Sequence, residues 1–423
     1  MDNFVVKRDI LPSILSHLAK EEITVIVGPR QAGKTTLLLQ VKDNLKQRGV
    51  SEKQIFFFNL DLVTDLQVLQ SQEEFIRFIK ARLDQDRLYF LIDEVQRMDE
   101  PGRFFKGIYD LKLNVKFILT GSSSLFLRAR FKEPLTGRKR VFYLYPFSFR
   151  EYLRGVAPEA EKLLGESELS LVDKEKLLAR FKDFCLYGGY PAVSLEQNLS
   201  EKVQILKEIY SSYIEKDIVG LLQIQNQLEF SRFVSLIATQ IGQLVNVNEL
   251  ANTLKLTRKT IESFLDALEL TFVVKRAPPF FRNYRKEITK MPKVYFLDTG
   301  LRNLGIDSFL EFGKRGDKGV LLENAVFAEI FKAVEKKIYF WRTRDKSEVD
   351  FVFLGSEQEI IPIEVKATAL SVPQLARSFR NFIEHYQPKR AFVVNFGLEK
   401  EIKMGRTTVS FILPFKLKGI FKV

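Results

Sequence analysis

Along the first third of the chain, short apolar runs alternate with stretches of helical period. The runs "ITVIV" (23–27), "IFFFNLDL" (55–62), "LYFLID" (88–93) and "VKFILTG" (115–121) read as strands, and "RVFYLYP" as a fifth. Between them, "KTTLLLQVKDNLKQRG" is a helix ending near Gly49 and "PGRFFKGIYDL" a short one. "QEEFIRFIKARL" puts Phe75, Ile76, Ile79 and Leu83 at helical spacing. Strands that are apolar throughout, separated by helices, predict a parallel sheet covered on both faces.

From about Phe149 to Ile218 the pattern is mostly helical, interrupted by the turn chemistry of "YGGYPAV" (187–193). Residues 229–270 predict three helices, and a basic strand-like stretch continues to about Lys293. The remainder returns to mixed strand and helix. Length alone suggests two or three domains rather than one, and the shifts of pattern divide the chain into 1–148, 149–219, 220–289 and 290–423.

Composition narrows the function classes. There are 66 lysines and arginines against 53 acids, a formal charge of +13, which points to a polyanionic partner, DNA before membrane. A basic surface kept for solubility is the bland alternative. The one cysteine, Cys185, forms no internal disulfide, and two histidines, His17 and His385, exclude a histidine-rich zinc site. No apolar run approaches a membrane span. The first residues lack a signal-peptide layout, so a cytoplasmic protein is expected.

"GPRQAGKTT" fits the phosphate-loop spacing, with a strand before it and a helix after it. Gly28, Pro29, Arg30, Gln31, Ala32 and Gly33 form the loop, whose backbone N–H groups wrap phosphate oxygens at a helix N-terminus. Lys34 reaches the outer phosphates, Thr35 ligates Mg²⁺, and Thr36 completes the run. Asp93 ends an apolar strand, where it shares the Mg²⁺ with Thr35, and Glu94 orients the attacking water. Thr120 and Ser122, at the end of the fourth strand, are placed to sense the last phosphate of ATP. Arg138, just before the fifth strand, is a candidate for stabilising transition-state charge in its own subunit or a neighbour's; a surface or DNA-facing arginine is the other reading.

"GPRQAGKTT", "LIDEVQRM", "LTGSSS", "LTGR", "YPFSFREYL" and "YGGYP" resemble the archaeal-type branch of AAA+ ATPases. The resemblance implies a RecA-like core followed by a helical lid. It continues through "KVYFLDTGLRN" (293–303) and "GVLLENAVFAEI" (319–330), and implies a fused C-terminal region of winged-helix and restriction-endonuclease-like type.

The residues of that region carry their own reading. Leu250, Ala251 and Leu254 form an apolar stripe, "KLT" a turn with Thr257 as N-cap, and Ile261, Phe264, Leu265 and Leu268 the inner face of a second helix. Arg258, Lys259 and Glu262 face outward. This is the pattern of a winged helix-turn-helix with "FVVKRAPPFFRNYRK" as wing. Residues 275–293 hold seven basic side chains and one acid, with Phe280, Phe281 and Tyr284 placed to stack on bases or brace the wing. A module serving protein contacts alone is the competing reading.

Near the end, Glu323 sits at the edge of an apolar helix face, spaced with Val326, Phe327 and Ile330. In "EVDFVFLG", simple alternation places Val349, Phe351 and Phe353 on one face and Asp350 on the other. In "IIPIEVK", Ile361, Ile363 and Val365 share one face, Glu364 and Lys366 the other. Helix Glu, strand Asp, then Glu-x-Lys on the next strand is the order of the PD-(D/E)XK nuclease core, which this segment resembles. Asp350 and Glu364 would hold Mg²⁺, Glu323 would complete the metal shell or tune it, and Lys366 would position water or phosphate. Otherwise Asp350 and Glu364 simply pair with Arg342, Arg344 or Lys346.

Together these readings predict an ATP- and Mg²⁺-dependent ATPase with a DNA-binding, nuclease-like tail. Two alternatives stand beside it: a nucleotide-gated DNA-binding regulator whose tail does not cut, and a partner-remodelling ATPase without nucleic acid. Self-association or a partner protein is left open.

Overall fold

A computed structural model describes residues 5–84, 86–122, 135–166, 168–213, 227–280, 291–343 and 345–421. The chain divides into two units, the first built on residues up to Pro146 and the second on most of the chain from Phe147 onward.

The first unit contains α1 (Leu11–His17), β1 (Ile23–Val27), α2 (Lys34–Gln47), β2 (Ile55–Asn59), α3 (Val63–Val68), α4 (Gln72–Lys80), β3 (Leu88–Asp93), α5 (Pro101–Asp110), β4 (Val115–Gly121) and β5 (Lys139–Tyr143). Its five strands form a wholly parallel sheet in the order β2-β3-β4-β1-β5. Every residue of β1 and β4 is buried, because both faces are covered. Ile23, Val25 and Val27 pack with Phe75, Ile79, Phe105 and Ile108 of α4 and α5, whereas Ile26 packs with Ile14, Leu37, Leu38 and Val41 of α1 and α2. The pleat thus sends alternate residues of one strand into two cores.

The second unit opens with helices α6 (Phe149–Val156), α7 (Pro158–Leu163), α8 (Leu171–Tyr187), α9 (Pro191–Leu195) and α10 (Leu199–Tyr213). Next come α11 (Gln227–Thr239), α12 (Val247–Leu254), α13 (Arg258–Leu270) and an antiparallel pair, β6 (Val274–Ala277) with β7 (Lys293–Phe296). Thr257 caps α13 as expected, accepting from the Thr260 N–H at 3.1 Å. The last elements are α14 (Thr299–Gly305), α15 (Lys318–Val334), β8 (Ile338–Arg342), β9 (Glu348–Leu354), β10 (Ile360–Val365), α16 (Arg377–Tyr386), β11 (Arg390–Val394), β12 (Lys400–Met404) and β13 (Thr407–Ile412). The six-stranded sheet runs β12-β13-β11-β10-β9-β8. Strands β8, β9 and β10 form an antiparallel meander, and β11 returns parallel to β10 after α16.

Two motifs from distant parts of the sequence lock together here. The buried Asp298 carboxylate caps α14 through the Leu301 N–H and also accepts from the Gly189 N–H of "YGGYP", at 3.1 and 2.7 Å. Asn303 donates to the carbonyls of Cys185 and Leu186. A Cβ on Gly189 would overlap the Phe147 carbonyl, so glycine there is a packing requirement.

Two sequence expectations are corrected. Trp341 pairs with Val349 but Tyr339 with Val352, so β9 carries a bulge at Asp350–Phe351. Alternation is therefore reset: Val349 and Val352 share the core that holds Phe379 and Phe382, while Phe351 packs on Tyr295 and Phe327. Phe280 is not available to stack on bases. It is buried against Tyr339, Phe382 and Tyr386, and its N–H donates to the Phe340 carbonyl. Phe281, Tyr284 and Arg344 lie outside the described residues.

Candidate functional sites

The C-terminal ends of β1, β3 and β4 meet at the phosphate loop, where ligands bind parallel α/β sheets. Gly28 leaves β1 so close to β5 that a Cβ would overlap the Leu144 carbonyl oxygen. Gln31 and Gly33 take left-handed backbone conformations, with φ of 56° and 92°, and α2 starts at once with Lys34. Lys34 is buried, its ammonium donating to the carbonyls of Pro29 and Gly28 at 2.9 and 3.3 Å. The Thr35 hydroxyl donates to Asp93 Oδ2 at 2.5 Å, and Thr120 donates to the other oxygen, Oδ1. The Glu94 N–H donates back to Thr120 Oγ1 at 3.2 Å, and Glu94 itself sits at φ 59°, a strained conformation for a non-glycine residue. The structure thus brings Lys34, Thr35, Asp93, Glu94 and Ser122 to one edge of the sheet, with Pro29, Arg30 and Ala32 in the loop and Thr36 in the first turn of α2.

Two partners here were not foreseen. Gln96 donates to Glu94 Oε2 through its amide nitrogen and accepts from the Ser122 N–H at 3.1 Å through its oxygen. Arg8 is buried and donates to the Ala32 carbonyl of the loop at 2.7 Å and to the Tyr145 carbonyl at 2.6 Å. No sequence signal marks either: Arg8 lies 137 residues before the Tyr145 carbonyl it meets.

Arg138 is corrected as a residue acting on its own chain's nucleotide. Its carbonyl accepts from Ile23 at the start of β1, and its guanidinium bonds Asp110 at the end of α5, at 2.8 Å. The phosphate loop leaves the other end of β1, roughly 13 Å away at about 3.3 Å per residue. A surface or DNA-facing arginine and a neighbouring subunit's nucleotide are the readings that remain for it.

A second cluster forms around the bulge in β9. Asp350 Oδ2 accepts from the Val365 N–H at 2.7 Å. Glu364 Oε1 accepts from Lys366 at 2.6 Å, but its buried Oε2 has no partner. Glu323, on α15, accepts from the Tyr295 hydroxyl at 2.5 Å and lies 3.6 Å from the Lys293 ammonium. Lys293 is also paired with Glu348, which Arg342 contacts at 3.3 Å. Burial first, and then the Asp350 charge, push the Glu323 and Glu364 carboxyls up to about 7. Burial raises Asp350 too. Burial opposes the Lys293 charge, but Glu323 and Glu348 outweigh it and hold its pKa above the ordinary lysine value.

All four expected residues, Glu323, Asp350, Glu364 and Lys366, therefore meet in one electrostatic neighbourhood. Lys293, Tyr295 and Glu348 were missed as members of it. Among the described residues, no three carboxyl, imidazole or thiol side chains are arranged to hold a metal ion. The donor chemistry nevertheless suits a hard cation: the oxygens are carboxylates, and one is buried and unpartnered.

The parallel sheet, the phosphate loop and the Thr35–Asp93 pair define a P-loop nucleotide-binding domain. Residues 20–153 match the family model of the AAA domain, and the chain contains an ATPase domain of the AAA type. Residues 178–309 and 318–416 match two domains of unknown function, DUF8612 and DUF4143. The chain is similar to an uncharacterized protein of Haemophilus influenzae, 27% identical over 391 residues, covering 89% of this chain and 90% of that one. It is also similar to an uncharacterized protein of Methanocaldococcus jannaschii, 26% identical over 371 residues, covering 85% and 77%. Among solved structures, the Walker-type ATPase PABY2304 of Pyrococcus abyssi aligns with a TM-score of 0.48 at 13% identity, covering 71% of this chain and 96% of that one. Among the described residues, no helix is long and apolar enough to cross a membrane.

Proposed function

We propose that the ATPase domain drives a DNA-binding C-terminal half whose last domain is a Mg²⁺-dependent, nuclease-like module. The proposed divisions are an ATPase core (1–148), a helical lid (149–219), a winged helix (220–289) and the nuclease-like domain (290–423). Thr35 and Asp93 are the residues that would hold Mg²⁺ beside ATP, where the ion offsets phosphate charge. Lys34 binds the phosphates, and Glu94, held by Gln96, orients water for attack. Three helices followed by β6 support the winged helix, and β6 pairs antiparallel with β7, which lies just past the proposed boundary.

The nuclease-like reading is supported by the order of α15, the antiparallel β8–β9–β10 meander, α16 and a parallel β11, with Asp350 on the second strand and Glu364-x-Lys366 on the third. The observation that carries it is the buried Glu364 Oε2 without a partner, next to the Asp350 charge. Such an oxygen costs stability unless a ligand or a proton meets it. Asp350 and Glu364 would hold the cation, with Glu323 completing or tuning its shell, and the ion would supply an activated water and charge stabilisation at phosphate. Lys366 would orient the scissile group.

The test is incubation of plasmid and branched DNA with Mg²⁺ or Mn²⁺, wild type against Glu364→Ala. Cleavage by wild type alone is expected; equal DNA integrity in both overturns the nuclease. A mobility shift that weakens steeply with salt is expected for DNA binding, and no shift at low salt favours a protein partner. A tail that folds without cutting is the second reading, favoured by the buried Lys293 among the carboxylates.

A further inference from the structure

The Lys293 side chain is only 1% exposed. A lysine this deep is rare unless paired, because desolvating the ammonium costs several kcal/mol. Its partners are the carboxylates of Glu348 and, at 3.6 Å, Glu323, with the Phe340 ring 5.4 Å away. Two residues further along β7, Tyr295 donates to Glu323 at 2.5 Å. One strand therefore grips one side of the cluster with a cation and a hydroxyl. On the other side Lys366 holds Glu364 Oε1 and leaves Oε2 buried and unsatisfied.

The balance of charge matters here. Four carboxylates, Glu323, Glu348, Asp350 and Glu364, face three cations, Lys293, Lys366 and Arg342. A cluster so nearly neutral attracts a divalent ion weakly, and the ammonium beside Glu323 repels it directly. Withdrawing Lys293 would take the ammonium from two carboxylates at once, leaving Glu323 with the Tyr295 hydroxyl and Glu348 with Arg342. We propose that Lys293 is a built-in cation that closes the acidic cluster, and that it must leave Glu323 and Glu348 before a divalent metal ion can enter. This rests on the reading of the cluster as the cation site of the nuclease-like domain.

The test is Mn²⁺ binding to the nucleotide-free full chain, followed by the loss of the free-ion paramagnetic resonance signal. Lys293→Met is expected to bind Mn²⁺ at least tenfold more tightly than wild type. Lys293→Arg, which keeps the charge, is expected to stay at the wild-type level. Adding Glu364→Ala to Lys293→Met should abolish the gain, which assigns the ion to this cluster. Equal, tight binding by wild type and Lys293→Met overturns the role of Lys293 and leaves the nuclease reading standing. Binding by neither overturns both.

Should Lys293→Met fail to fold, amidination of wild-type lysines read by mass spectrometry gives an independent answer. Lys293 is expected to be protected without metal and labelled once Mn²⁺ is added. Protection that persists at every Mn²⁺ concentration the protein tolerates overturns the proposal.

Discussion

Replacing Gly28 by alanine tests how the phosphate loop is pinned to the sheet. The added Cβ would overlap the Leu144 carbonyl oxygen and lie 3.0 Å from the carbonyl carbon. Leu144 has little freedom to retreat. Its N–H donates to the Val27 carbonyl at 2.7 Å, and its side chain is 1% exposed in the core with Leu37 and Ile118. Relief requires β5 to part from β1 by about 1 Å, and overpacking of this kind costs about 1–3 kcal/mol. The Leu144–Val27 hydrogen bond would be lost as well, at about 1 kcal/mol. Together these give about 3 kcal/mol, or a melting point lower by about 6–12 °C for a domain of this size. The measurement is thermal unfolding of the nucleotide-free protein, paired with the binding of a fluorescent ATP analogue, which should weaken because the loop moves with the strand. Lys34→Ala is the control, since it removes a phosphate ligand without adding a clash. A Gly28→Ala protein that melts within about 2 °C of wild type and binds the analogue normally would refute the close approach and the cost assigned to it.

Three further outcomes are expected. Lys34→Ala should abolish nucleotide binding, whereas Glu94→Gln should keep it and slow turnover; hydrolysis by Glu94→Gln at the wild-type rate would show that Glu94 does not orient water. Gln96→Ala should lower kcat about tenfold with little change in ATP affinity, because it releases Glu94 without touching the loop, on the scale of a misplaced general base; a change confined to affinity would assign Gln96 to binding instead. Burial, followed by the Lys116 charge, lowers the His17 pKa from 6.5 to about 4. Below pH 6.5 the unfolded chain takes up this proton first, so the His17 contribution to stability is full above that pH and is lost, at about 3 kcal/mol, as pH drops to about 4. Melting curves across that range should show a smaller acid loss in His17→Asn than in wild type.

The site was legible in the sequence wherever its chemistry is local. "GPRQAGKTT" had to be contiguous because one turn of backbone wraps the phosphates. Asp93 and Glu94 could be placed because they end an apolar strand. Glu364 and Lys366 could be paired because two residues on a strand share a face. Arg8, Gln96, Lys293 and Tyr295 were not legible, since nothing near them in the sequence shows which carbonyl or carboxylate they meet. The face of Phe351 was misread because a bulge leaves no mark in an alternating apolar run.

Local pattern alone was enough for the five strands of the first sheet, the phosphate loop and the order of the acidic residues. Each depends on the character and spacing of neighbours within a few positions. Only the tertiary structure decided that Arg138 stands at the far end of the sheet from the phosphate loop, and that a buried lysine lies among the tail carboxylates. Strand register and long-range packing set those distances, and the energy that fixes them comes from burying partners tens of residues apart.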